Sequence, residues 1–265
     1  MAEGSRNPGS LLSFDEYSPG ISLFSYQKAR GLYWKIYSQV SIILIMDIQG
    51  LSSRALEVLN AIKDSDLFIE YMLIGGSALS MQLQNRLSED LDFCKWQDNP
   101  GITGKEIDWP VIEKFLGKLG SVRTEVLDLF QVNFVVKDVK LSFYSNSITT
   151  YQEIEIGPQF GKILLATVES IGVMKLEVLS RRSVFRDYYD IYSIMKENGS
   201  LKELVFKAAR YSCHRMKTKS ILSIISDGSR FRKEENFSLL YPKYNVTSDD
   251  IQTYIREKIT NEFGR

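Results

Sequence analysis

Between Leu51 and Ile62 the apolar residues recur at helical spacing and predict an amphipathic helix. From Phe68 to Ile74 they run together, as in a buried strand, and the run ends on Gly75-Gly76-Ser77, which predicts a tight turn. Ala78 to Leu87 is free of Gly, Pro and β-branched residues and sets Leu79, Leu83 and Leu87 on one helical face, so a helix is entered from that turn. Ser88 to Phe93 then alternates, with Ser88, Asp90 and Asp92 on one face and Leu91 and Phe93 on the other, as a strand does. A long polar connection, Gln97 to Asp108, leads to a helix from about Val111 to Leu119. Strands Gln131 to Val136 and Val139 to Ser145 follow, joined by the hairpin signal Lys137-Asp138. From Leu164 onward the pattern is helical: Ser170 to Leu179, Asp187 to Glu197, Leu201 to Tyr211, Ser220 to Ile225 and Asp249 to Asn261, punctuated by Asn198-Gly199 and Asp227-Gly228. The fold class expected is α+β, a mixed sheet with helices followed by a C-terminal helical bundle. The divisions are an extension over 1–46, a core over 47–158 and a bundle over 159–265.

The opening Met1 to Gly20 is rich in Ser, Gly, Pro and Asn, and Gly31 to Met46 is aromatic and β-branched, strand-like at most. Because the first amphipathic helix comes just after it, Met46 is the expected native start. At 265 residues, 44% hydrophobic and 25% charged, the chain has the composition of a soluble protein with a substantial core. Its longest apolar run, Ile42 to Met46, is far short of the ~20 residues that span a bilayer. Cys94 and Cys213 form no metal-ligand spacing, His214 is the single histidine, and a reduced cytoplasmic compartment is expected. The formal charge is zero, but Gly161 to Lys233 holds fifteen Lys/Arg against seven Asp/Glu, an excess of +8 balanced by −8 elsewhere. Such a segment suits a phosphate backbone, with Arg210, His214, Arg215, Lys217 and Lys219 its densest part, although single basic residues more often solvate helix faces.

The chemistry concentrates in the turn and the strand after it. A helix start offers unpaired N–H groups and a positive dipole end, and glycines let a phosphate approach the backbone, so Gly75, Gly76 and Ser77 form a candidate phosphate cradle. Asp90 and Asp92 at i and i+2 lie roughly 6.5–7 Å apart along a strand, close enough to share hard cations such as Mg2+. Taken alone, such a pair reads equally well as solvated acid at a strand end; strand, glycine turn, helix and acidic strand together point to phosphoryl or nucleotidyl transfer. A Walker loop is excluded by the absence of Gly-Lys-Ser/Thr, and a dinucleotide fingerprint by the absence of Gly-x-Gly-x-x-Gly.

The segment Leu73 to Ser80 with Asn85 to Phe93 resembles the first motif of the AbiEii/AbiGii toxins, a family of DNA polymerase beta-type nucleotidyltransferases. Downstream, Glu169 to Arg181, with Lys175, and Arg186 to Tyr192, with Asp187, resemble the family's later Lys and Arg-Asp motifs, in the expected order. The resemblance covers about Leu67 to Met195. It implies that Asp90 and Asp92 bind Mg2+. Gly75, Gly76, Ser77, Arg86 and Ser88 hold the nucleotide, and Lys175 stabilises transition-state charge. Asp187 orients Lys175 or the acceptor. Arg86 reads as a phosphate contact or an ion pair with Glu89, and Asp190, one helical turn past Asp187, as structural. Tyr188, Tyr189 and Tyr192 at helical spacing read as core rings more than as a base stack. Many polymerase beta-type enzymes carry a third carboxylate on a neighbouring strand; here Ser142 stands in that place and Asp138 falls at the turn. The partners implied are NTP, an RNA acceptor such as a tRNA 3′ end, and a separate DNA-binding antitoxin. Two other readings stay open: nucleotide transfer to a protein or a small molecule such as an aminoglycoside, and a degenerate scaffold that binds RNA or a partner without catalysis.

Overall fold

The structure is a computed structural model that describes residues 50–97, 106–147, 150–152, 154–197, 199–213, 215–231 and 234–264. Residues 1–46, including the start expected at Met46, most of the connection from Gln97 to Asp108, and His214 lie outside the described residues.

The first amphipathic stretch is helix α1, Ser53–Ile62, started by Ser52, whose hydroxyl accepts from the Ala55 N–H, and burying Ala55, Val58, Leu59 and Ile62. The apolar run that follows is strand only at its end. Ser65 starts a short 3-10 turn, Asp66–Phe68, which sends Phe68 into the core, and β1 is Met72–Ile74. Helix α2, Gly75–Leu83, takes up the glycines as its first turn instead of following them, and ends four residues before Leu87, stopped by the left-handed Gln84 (φ 50). Asn85 and Arg86 leave the helix because their side chains are drawn to Asp190, 105 and 104 residues on. Strand β2, Leu91–Gln97, begins after Asp90; Ser88 makes only an isolated bridge to Leu51.

Helix α3, Trp109–Leu116, and strands β3, Val122–Asp128, β4, Gln131–Val136, and β5, Val139–Ser147, complete one half of the sheet. The β4–β5 hairpin turns on Lys137 (φ 51) and Asp138 (φ 61), two left-handed residues whose twist matches that of the strands. Strands β6, Ile156–Phe160, and β7, Ile163–Ala166, were not expected, and neither was β3. The first of these contains Gly157 and Pro158, the second has four residues, and β3 is an edge strand mostly exposed to solvent, so none carries a clear alternation. The expected division after residue 158 falls inside β6. The helical part follows as α4, Val168–Val178, α5, Phe185–Lys196, α6, Leu201–Tyr211, α7, Thr218–Ser226, and α8, Ser248–Phe263.

The seven strands form one mixed sheet in the order β3-β4-β5-β2-β1-β7-β6, with β2 parallel to β5, β1 parallel to β7 and the other neighbours antiparallel. On one face Phe93 and Phe143 stack at 5.0 Å, with Phe68, Phe134 and Tyr71 around Phe143. The period of two in β2 turns Asp92 to the other face, beside Ser142 of β5. Helix α2 packs on β1 and β2, and α4 and α5 pack on α2, which carries the later motifs to the first. The α+β architecture, a mixed sheet followed by helices, is the one expected.

Candidate active site

Strand β1 ends on Ile74 in extended conformation, and Gly75 (φ 68) turns the chain into α2 with no side chain capping the helix. A Cβ at Gly75 would lie 2.7 Å from Asp92 Oδ2; one at Gly76 would lie 2.6 Å from Arg86 Nη2 and 3.1 Å from Ser88 Oγ. The glycines therefore leave room under the helix for a carboxylate and a guanidinium, besides allowing the turn. Ser77 is buried, its Oγ 3.0 Å from Ser88 Oγ and donating to the main-chain oxygen of Asp90. The approach to Asp90 is held on its other side by Ser88, which donates to Gly50 and accepts from Ser52, each at 2.9 Å. Gly75, Gly76, Ser77, Arg86, Ser88, Asp90 and Asp92 are thus brought together at one helix end.

Asp90 is exposed and Asp92 half-buried. Burial, and then the neighbouring Asp90 charge, push the Asp92 carboxyl above its ordinary range, against the pull of a Ser142 hydrogen bond and of Lys175. Ser142, directly opposite Asp92 in the register, is buried and donates where a third acid would stand. Asp138 is at the hairpin tip, 2.7 Å from Arg54 Nη1.

Beneath this pair lies a buried charge cluster. Lys175 Nζ is 2.7 Å from Asp187 Oδ1 and 2.8 Å from Asp190 Oδ2. The Arg86 guanidinium forks onto Asp190 at 2.8 and 2.9 Å and gives Nη1 to the Leu87 carbonyl at 2.9 Å, while Asn85 adds 3.0 Å to Asp190 Oδ1. Of the two roles open to Arg86, the ion pair is made, but with Asp190 and not Glu89, because α5 brings a fully buried carboxylate to the fork. Burial alone would raise both acids, but Arg86 and Lys175 hold Asp190 far below the carboxylate range, and Lys175 and Arg182 hold Asp187 low. Burial likewise works against the Lys175 charge, and Asp187 and Asp190 overcome it, so its pKa is raised. Asp187 is the third residue of α5, behind a Val184 cap, and fully buried.

Sequence reasoning missed Arg182. It binds Asp187 at 2.8 and 3.2 Å from a side chain that is 56% exposed, and it bears electrostatically on both Asp92 and Tyr144. The available signal was the break Arg181-Arg182-Ser183 between two helices, just ahead of an aspartate that a lone lysine would have to serve with Asp190 as well. Tyr188, Tyr189 and Tyr192 are core rings: Tyr188 lies 3.7 Å from Phe231, Tyr189 donates to the Asn85 carbonyl at 3.0 Å, and Tyr192 packs on Tyr244 and Tyr254.

Of the basic cluster, Arg210, Arg215, Lys217 and Lys219 are exposed. Arg215 lies 4.7 Å over Tyr151, which stacks on Tyr211 at 5.1 Å. Among the described residues no group of three or more His, Cys, Asp or Glu side chains is placed to hold a metal, and no helix is long and apolar enough to cross a membrane.

Over 158 residues the chain is 26% identical to an uncharacterized protein, aq_aa25, of Aquifex aeolicus (strain VF5), covering 59% of this chain and 73% of that one. Solved structures similar to it include MenT4, nucleotidyltransferase toxin Rv2826c from Mycobacterium tuberculosis H37Rv (TM-score 0.46, 13% identity, 77% of this chain and 81% of that one). The Megavirus polyadenylate synthase is similar at TM-score 0.40 and 15% identity over 73% of this chain, which spans 41% of the synthase's length. The profile of the nucleotidyl transferase AbiEii toxin, type IV TA system, matches residues 57–257, a span that contains every candidate residue above. The chain therefore belongs to the AbiEii nucleotidyl transferase toxin family of toxin–antitoxin systems and is a nucleotidyltransferase.

Proposed function

We propose that the protein transfers a nucleotide from a nucleoside triphosphate to an acceptor hydroxyl, with Asp90 and Asp92 holding Mg2+. The observation that carries this reading is the state of the two acids: Asp92 is pushed up by burial and by Asp90, and among the described residues neither acid has a Lys or Arg ion-pair partner. Two carboxylates with a hydroxyl beside them suit an ion that keeps waters and substrate phosphates as its other ligands. When bound, Mg2+ supplies neutralisation of the triphosphate and activation of the acceptor hydroxyl.

The uncapped first turn of α2 offers the N–H groups of Gly75, Gly76 and Ser77 to the β- and γ-phosphates. Ser142 fixes the Asp92 carboxylate. Three cations, Arg86, Lys175 and Arg182, face the two carboxylates of Asp187 and Asp190, and the surplus positive charge stabilises the phosphates as charge builds on the leaving pyrophosphate. Arg182 contacts the triphosphate with its unbound edge. Arg86, whose nitrogens are taken up by Asp190 and Leu87, holds the loop before Asp90 in place. The acceptor oxygen attacks the α-phosphorus and pyrophosphate departs. We read the acceptor as an RNA 3′ end, tRNA included, on the strength of the exposed Arg210, Arg215, Lys217 and Lys219, and the antitoxin as a separate protein.

The test is incubation of wild-type protein and of the Asp90→Ala and Asp92→Ala variants with Mg2+, each labelled NTP in turn, and total RNA. Label in a discrete RNA band, lost in both variants, is the expected result. Label in protein or small molecules instead would move the acceptor, and folded protein without Mg2+-dependent NTP binding would leave only the scaffold reading.

A further inference from the structure

The segment after the 3-10 turn Phe237–Leu240 is laced to the loop that leads into Asp90. Leu87 donates to the Leu240 carbonyl at 2.6 Å, Lys243 donates to the Asn85 carbonyl at 2.8 Å, and Tyr244 donates to the Tyr189 hydroxyl at 2.9 Å. Between these anchors Tyr241 is left-handed (φ 47, ψ 60) and precedes Pro242. Few non-glycine residues adopt that conformation, and a following proline biases the chain toward extended backbone instead. Tyr241 is 76% exposed and Leu239, two positions earlier, 66%; among the described residues the Tyr241 ring stacks on no other ring and its hydroxyl has no hydrogen bond. The side chain therefore adds little to the core, while the backbone that presents it is strained and tied at both ends to the residues just before a proposed metal ligand. Sparsely populated backbone conformations of this kind cluster at ligand-binding and active sites.

We infer that Tyr241 is the stacking platform for a base of the acceptor strand near its reacting 3′ end, an inference that rests on the polynucleotide acceptor proposed above. A lone exposed ring with one leucine is far too small for a protein interface, which needs roughly 800 Å2 per partner. It is the right size for one nucleobase, whose face any aromatic ring accepts without regard to sequence. The anchors tie the backbone that carries the ring to the loop before Asp90, so that the stacked base sets how far the strand advances.

The experiment measures binding of a 5′-labelled single-stranded oligoribonucleotide, and separately of NTP with Mg2+, to the full chain and to Tyr241→Asn, Tyr241→Phe and Tyr241→Trp. Asparagine tolerates the left-handed turn, so unchanged thermal unfolding accompanies the loss of the ring. The expected result is roughly five- to a hundredfold weaker oligonucleotide binding by the asparagine variant, retention by the two aromatic variants, and no change in NTP binding. Equal oligonucleotide binding by wild type and Tyr241→Asn overturns the stacking role and leaves the RNA reading standing. A parallel loss of NTP binding overturns it in favour of a nucleotide contact. If wild type binds NTP but no oligonucleotide, the polynucleotide acceptor fails and the platform with it.

Discussion

Two charged regions meet beneath α2 and follow opposite rules. In the cluster of Arg86, Lys175, Arg182, Asp187 and Asp190, all four carboxylate oxygens have cationic partners within 2.9 Å, and both acids are held below their ordinary range. At Asp90 and Asp92 the acids have each other and a serine, and Asp92 is pushed the other way. The same residue type thus titrates in opposite directions on neighbouring elements, and the reason is the partner set. The compensated cluster is a frame that folding completes, whereas the uncompensated pair leaves its negative charge open to a cation from outside the chain.

The strongest way to break this comparison is to remove the uncompensated acids. Asp90→Ala and Asp92→Asn should each lower the transfer rate by roughly 10^3-fold or more, ~4 kcal/mol of barrier. The thermal midpoint should hold or rise, because the like-charge repulsion between Asp90 and Asp92 has been relieved. Label transfer and a melting curve on the same preparations check both halves; a fall in stability matching the fall in rate would count against the assignment.

Removing a compensated acid should do the reverse. Asp190→Ala leaves Arg86 and Lys175 buried without their shared partner and should cost about 3–5 kcal/mol in urea unfolding. The pH sense follows from the lowered pKa: the Asp190 contribution is complete above its unfolded pKa and is lost as pH falls through the folded one. The stability gap between wild type and Asp190→Asn should therefore narrow on acidification below about pH 4 and stay constant from there to neutrality.

Arg182 belongs to both regions and should split the two readouts. With Asp187 still held by Lys175, Arg182→Ala should change stability by less than about 1 kcal/mol, since the side chain is more than half exposed. Its rate should drop by roughly 10- to 100-fold if the guanidinium meets the phosphates. Arg182→Lys, which keeps the charge and loses the fork, should recover part of the rate.

The two regions were unequally legible in the sequence. Gly75, Gly76, Ser77, Asp90 and Asp92 lie within eighteen consecutive residues, and local period and turn chemistry bring them together. The helix Leu201–Tyr211, with its clean periodicity, was read to its ends, and the turn of the hairpin at Lys137-Asp138 was placed correctly, for the same reason. The cluster was legible only in part. The pairing of Arg86 with Asp190 spans 104 residues, and nothing in the local sequence makes Glu89 the worse partner; burial of α5 against α2 decides it. The same pull ended α2 at Leu83 and turned Gly76 from a turn former into the space beside a guanidinium. Strands β6 and β7 escaped because parallel pairing with β1, not their own pattern, makes β7 a strand.

A modest gain in stability is the most direct reading of the uncompensated pair. If Asp90 and Asp92 bind Mg2+, the ion should stabilise the folded protein by about 1.4 kcal/mol at ten times its dissociation constant, without any nucleotide present. Asp92→Asn should abolish the shift, and Asp190→Asn, though far less stable, should keep it, because its carboxylate belongs to the frame. Ser142→Asp adds a third acid directly opposite Asp92. It should lower stability in chelator, where the new charge has no partner, and enlarge the Mg2+ shift beyond that of wild type. A Mg2+ shift that is the same size in wild type, Asp92→Asn and Ser142→Asp would place the ion elsewhere. The contrast between a complete cluster and an incomplete pair would then need a different cation, such as an arginine or lysine of the antitoxin.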